Sequence, residues 1–121
     1  MAVRVLIADD HRLFAEALQA ILSSDQRIDV IGLAASGNEA VEKAKELHPD
    51  VVLMDISMPG LDGVAATRVI REEQPRVNVV MVTGSDAGQD VAAARTAGAA
   101  GYVTKDRIAA ELIGAILDVA A

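Results

Sequence analysis

The sequence predicts an α/β protein built as a (βα)5 doubly wound parallel sheet, and three observations carry that expectation. Short runs rich in Val, Ile, Leu and Met alternate with longer helical patterns about every twenty-five residues. The runs are apolar throughout rather than alternating with polar residues, as in strands covered by helices on both faces. A helical segment also separates each run from the next, which is what the crossover between parallel strands requires.

The elements follow in order. VRVLIA (3 to 8) is the first strand, stopped by Asp9-Asp10, and HRLFAEALQAILSS is the first helix. IDVIGLA (28 to 34) is the second strand, and GNEAVEKAKELH the second helix, with His48 placed where the helix dipole favours it. DVVLM (50 to 54) ends at Asp55, and Asp62-Gly63 then reads as a turn and helix start before GVAATRVIREEQ. VNVVMV (77 to 82) and GYV (101 to 103) are the fourth and fifth strands, with DAGQDVAAARTAG between them. DRIAAELIGAILDVA closes the chain, and Asp106 reads as the N-cap of this fifth helix. Pro49, Pro59 and Pro75 all fall between elements, where a residue without an amide donor does least harm.

On the fifth helix Arg107, Glu111, Gly114 and Asp118 mark a narrow polar face, and Ile108, Leu112, Ile116 and Val119 a core stripe. Ile113 and Leu117 add apolar surface beyond one buried face. That excess has two readings: a wide core stripe, or a contact with another subunit or domain.

Composition excludes several functions. A chain of 121 residues fits one domain with a core of its own, and the absence of cysteine removes disulfides, thiolate metal sites and cysteine catalysis. Eleven Lys and Arg against eighteen Asp and Glu give a formal charge of -7 with no basic cluster, a poor basis for contacting DNA or RNA directly. One Phe, one Tyr and no Trp leave nothing from which to build a base-stacking platform. No apolar segment approaches the length of a membrane span, and Asp9-Asp10 interrupts the start where a signal peptide would need its apolar stretch. The expected location is the cytoplasm, without membrane contact.

The fold places the chemistry. In an open parallel sheet ligands bind beyond the carboxyl ends of the strands. Asp9 and Asp10 follow the first strand, Asp55 the third, Thr83 the fourth, and Lys105 lies just past the fifth. Three carboxylates at one edge repel unless positive charge sits among them, and an all-oxygen donor set of this kind suits Mg²⁺. A lysine in the cluster is balanced by those acids or by a bound anion such as phosphate. Taken alone, Asp9-Asp10 also reads as a turn and cap before the first helix, and His11 as a first-turn residue without chemistry.

Asp9-Asp10, Asp55, Thr83 and Lys105, together with DISMPGLDG after the central strand and GYVTKD at the fifth, resemble the receiver domain of bacterial two-component response regulators. IADDHRLF and the GYVTKD ending are most similar to the subfamily that carries a C-terminal helix-turn-helix DNA-binding domain. The resemblance covers essentially the whole chain and implies a flavodoxin-like receiver fold with strand order 2-1-3-4-5. It implies that a sensor histidine kinase donates a phosphoryl group to Asp55, with Mg²⁺ held by Asp10, Asp55, the Ser57 carbonyl, and Asp9 directly or through water. Lys105, the Thr83 hydroxyl and the Gly84 amide would meet phosphoryl oxygens, with Ser57 and Ser85 flanking the approach to phosphorus. A carboxylate is already an anion at neutral pH, so no general base is needed.

Thr83 and Tyr102 would form the switch that alters the surface of the fourth and fifth helices. The resemblance further implies a phosphoacceptor rather than an enzyme, catalysing only its own phosphorylation and dephosphorylation. Pairing would use the fifth helix with the first or fourth, and residues 1–121 would be the receiver part of a longer transcription regulator, which meets DNA only through a C-terminal domain beyond this chain. Two other functions fit the same residues. A small Mg²⁺-dependent phosphohydrolase also uses a strand-end aspartate, but no segment here is long enough to form its substrate-selecting cap. A stand-alone docking module would use the same site without a DNA-binding output.

Overall fold

In the computed structural model, which describes residues 2–84 and 87–121, five strands form one parallel sheet. β1 (Val3–Ala8), β2 (Ile28–Ala34), β3 (Val51–Met54), β4 (Asn78–Thr83) and β5 (Gly101–Thr104) pair in the order β2-β1-β3-β4-β5, as the resemblance implied. The crossovers are α1 (Arg12–Ser23), α2 (Gly37–Leu47), α3 (Gly63–Glu73) and α4 (Gly88–Thr96). The chain finishes in α5 (Ile113–Ala120).

Because successive strand residues face opposite ways, each strand feeds two cores. Leu6, Val52, Met54, Val79 and Met81 pack on one face with Ala40 and Ala44 of α2, Ala66 and Ile70 of α3 and Ala94 of α4. Val5, Ile7, Leu53, Val80 and Val82 pack on the other with Ala15, Leu18 and Leu22 of α1, and with Leu112 and Ile116 near the end of the chain. This is why the central runs carry no polar alternation: both faces are covered. Each fully buried Leu or Ile contributes roughly 1.5–3 kcal/mol of transfer free energy.

Helix starts are fixed by side chains. Ser36 caps α2 by accepting from the Glu39 amide at 3.1 Å, and the Glu39 carboxylate reaches back to the Ala35 amide at 2.8 Å. Asp62 caps α3 by accepting from Ala65 N–H at 2.8 Å, as its place before Gly63 led one to expect. His48 does lie at the end of α2, in a left-handed conformation with φ 49°.

The last helix departs from expectation. It is not uniformly α-helical from residue 106: a 3₁₀ turn covers Lys105–Arg107 and a π turn Ile108–Leu112 before α5 begins. Asp106 is therefore not the N-cap. It sits inside the 3₁₀ turn, and a hydrogen bond from Thr104 holds its carboxyl below the ordinary aspartate range. The polar face of Arg107, Glu111, Gly114 and Asp118 is exposed as expected, while Ile113 and Val119 pack against the core. The wide-stripe reading thus accounts for Ile113. Among the described residues, the large apolar side chains that do face solvent are on α1, Leu13 at 84% and Ile21 at 50% exposure.

Candidate functional site: an acidic pocket at the carboxyl edge of the sheet

Strand register brings the site together. Ala8 of β1 pairs with Met54 of β3, so Asp9 and Asp55 leave the sheet side by side. The Asp55 amide donates to the Ala8 carbonyl at 3.0 Å, and the Asp9 amide to Ala34 at 2.9 Å. Thr83 pairs with Thr104, which puts Lys105 one residue beyond the same edge. β4 runs one residue further than the apolar run alone indicated, because that pairing continues the ladder through Thr83.

Asp9 and Asp55 are buried, and Asp10 is exposed, its side chain at 32%. Lys105 Nζ lies 3.0 Å from Asp9 Oδ2 and 3.5 Å from Asp55 Oδ2. The Asp9 contact is a close ion pair that takes up the buried Oδ2. Asp9 Oδ1 is engaged locally, accepting from the His11 amide at 2.8 Å, with His11 Nδ1 at 3.1 Å. Asp9 thus also shapes the turn before the first helix, as the acid pair taken alone suggests. His11 comes closer than its place in the sequence indicated, since its ring nitrogen can approach Asp9, Asp10 and Asp55 within a 4.8 Å cluster of donor atoms.

An open cavity of ≈ 350 Å³ is lined by Asp55, Ser57, Thr83, Gly84, Lys105 and His11. It has room for a phosphoryl group against the Asp55 carboxylate. The Ser57 amide lies 3.4 Å from Asp55 Oδ1, and no side chain atom on Gly84 would narrow the floor. Ser85 lies outside the described residues. Tyr102 is half-buried against the core shared by α2, α3 and α4. It pairs with Met81, two residues before Thr83, so the register puts Tyr102 and Thr83 on the same face as diagonal neighbours.

Two contributors escaped the sequence reading. Gly63 reads in sequence as part of a turn and helix start, yet a Cβ there would stand 1.9 Å from the Asp55 carbonyl oxygen. The Gly63 amide also donates to Ile56 at 2.9 Å, closing the loop that follows Asp55. Phe14, an apolar residue in the α1 pattern, places its ring under Lys105, with Nζ 4.2 Å from the centroid.

The donor set fits a hard divalent cation: carboxylate oxygens of Asp9, Asp10 and Asp55 lie within 4.8 Å of one another, and all three are hard oxygen ligands. Carboxylates, a hydroxyl and an ammonium at the carboxyl edge of a 2-1-3-4-5 sheet define a receiver domain. The chain belongs to that family: the family model "Response regulator receiver domain" matches residues 5–117. It is 41% identical over 117 residues to the transcriptional regulatory protein LnrK of Bacillus subtilis, covering 97% of this chain and 53% of that one. The chain spans about half the length of the curated relatives it matches, at 53% for the first two. Among solved structures, a LuxR-family two-component response regulator from Aurantimonas sp. superposes with a TM-score of 0.94 at 32% identity, covering 99% of this chain and 86% of that one. The CheX–CheY–BeF3–Mg²⁺ complex from Borrelia burgdorferi gives a TM-score of 0.90 at 30% identity, covering 98% and 90%. The strand order, and the similarity to a transcriptional regulatory protein and to a LuxR-family response regulator, agree with what the sequence implies. Among the described residues, no helix is long and apolar enough to cross a membrane.

Proposed function

We propose that Asp55 is the phosphoacceptor of this receiver domain, that a histidine kinase supplies the phosphoryl group, and that the resulting change of surface controls transcription. The observation that carries this reading is the convergence of Asp9, Asp10 and Asp55 with Lys105 at one sheet edge, beside a cavity open to solvent. Asp55 attacks phosphorus in line as the bond from phosphorus to the kinase's histidine nitrogen breaks and the imidazole leaves, so charge builds on the equatorial oxygens and is met by fixed groups. Lys105 takes one oxygen, and the Thr83 hydroxyl with the Gly84 amide another. Asp10, Asp55 and the Ser57 carbonyl, with Asp9 directly or through water, would hold Mg²⁺, whose charge offsets the clustered carboxylates and the developing phosphoryl charge.

The domain is a switch, and its chemistry stops at its own phosphorylation and dephosphorylation. Acetyl phosphate with Mg²⁺ is expected to add one acid-stable, base-labile phosphoryl group by intact mass, and Asp55→Asn to take none. Normal labelling of Asp55→Asn would defeat the assignment.

Output runs through Thr83 and Tyr102. Thr83 moving toward a phosphoryl oxygen vacates volume on the face that Tyr102 shares, and an inward Tyr102 reshapes the surface around α4 and α5. Pairing of two receivers through α5 with α1 or α4 would bring attached DNA-binding domains onto neighbouring half-sites. Beryllofluoride is expected to raise the sedimentation coefficient of the native chain but not of Thr83→Ala. Identical sedimentation with and without beryllofluoride would favour docking or release of a separate domain. The net charge of -7 leaves residues 1–121 no means to replace DNA counterions, so no salt-sensitive duplex binding is expected in a mobility-shift titration.

A further inference from the structure

Lys105 has a third neighbour besides the two acids. Its ammonium stands 4.2 Å from the centre of the Phe14 ring, which is half-buried against the core between the sheet and α1. We propose that Phe14 is a positioning residue for Lys105, holding the ammonium at the acidic pocket through a cation–π contact. This rests on the reading of Lys105 as a ligand for a phosphoryl oxygen.

A lysine carries its charge on a flexible four-carbon stem, and this side chain is 25% exposed, so the stem alone does not fix the ammonium. Asp9 at 3.0 Å and Asp55 at 3.5 Å restrain it while both carboxylates are free. Each of them changes its bonding in the reaction: Asp55 becomes an acyl phosphate, and Asp9 turns toward a bound cation or its water. The phenyl ring changes in neither way. Its quadrupole attracts the ammonium from one side and leaves the N–H donors on the other free for oxygen. A third carboxylate in its place would restrain Lys105 equally but would compete with the phosphoryl group for the same positive charge. Phe14 also lies on α1, directly after the acid pair, so one segment positions both the cation ligands and the lysine.

The test compares rates of phosphorylation by acetyl phosphate in saturating Mg²⁺, read by intact mass, with thermal melting recorded for every variant. Phe14→Leu keeps an apolar side chain without a quadrupole, and is expected to slow phosphorylation about threefold to tenfold. Phe14→Tyr, which restores a ring face, is expected within about twofold of the native rate. In a Lys105→Met background Phe14→Leu is expected to change the rate by less than about twofold, because the partner is already gone. If Phe14→Leu melts below the assay temperature, Phe14→Met replaces it with the same expected slowing. A native rate for the folded ringless variant, failure of Phe14→Tyr to rescue, or equal slowing with and without Lys105 would overturn the positioning role alone. A native rate for Lys105→Met would instead overturn the reading of Lys105, and this inference with it.

Discussion

Asp10→Ala is expected to slow phosphorylation of Asp55 by about a hundredfold or more, while raising the melting temperature of the metal-free protein by about 2–5 °C. The two effects have one origin. Asp9, Asp10 and Asp55 bring donor atoms within 4.8 Å of one another, and Lys105 is the only ammonium that bonds to them among the described residues. Without a divalent cation the third carboxylate adds repulsion that the fold must absorb. With the cation it completes the ligand set. Asp10 is the acid to remove because it is partly exposed, so alanine leaves no buried cavity, whereas Asp9 accepts the His11 amide and would leave it without a partner. Rates in EDTA and in Mg²⁺, with melting curves for both proteins, check the prediction. Unchanged phosphorylation in EDTA would refute the proposed metal role.

The second large effect is structural. Gly63→Ala is expected to cost about 3 kcal/mol or more, because its methyl group would have to occupy a point 1.9 Å from the Asp55 carbonyl oxygen. Backbone on both sides of that contact is pinned: Asp55 N–H pairs with Ala8, and Gly63 N–H with Ile56. The strain therefore passes either to the start of α3 or to Asp55 itself. Urea denaturation measures the loss, and phosphorylation of the surviving folded fraction is expected to fall with it. A midpoint within error of the native value would show that the α3 start can slide, and that the glycine is not required for placing Asp55.

Features carried by an apolar run or by residue type at a strand end were legible in the sequence, and those set by how particular backbone and side-chain atoms meet were not. Apolar runs without alternation announced strands covered on both faces, and the carboxylates at their ends announced the edge where chemistry would collect; β1 pairing with β3 through Ala8 and Met54 then made Asp9 and Asp55 neighbours. The start of the last helix was less readable. Asp106 looks like a cap in one dimension, but Thr104 and the turn that carries Lys105 decide its hydrogen bonding. Phe14 and Gly63 were hidden for a similar reason. An aromatic residue on a helix stripe reads as core, and a glycine after aspartate reads as a turn. Phe14 draws its role from Lys105, 91 residues away and met across the folded sheet, and Gly63 draws its role from the Asp55 carbonyl, 8 residues before it and brought close by the loop that the Gly63–Ile56 hydrogen bond closes. Leu13 and Ile21 lie on the same helix as the buried Ala15, Leu18 and Leu22, yet face solvent.

The central claim is that Asp55 carries the phosphoryl group, and chemical trapping tests it most directly. After phosphorylation with acetyl phosphate and Mg²⁺, borohydride reduces an aspartyl phosphate to homoserine, and peptide mass mapping locates the altered residue. The account predicts homoserine at position 55 and no conversion at Asp9, Asp10 or any other acid, with none at all when phosphodonor is omitted. Homoserine at Asp9 or Asp10, or a labelled protein in which position 55 remains aspartate, would contradict it.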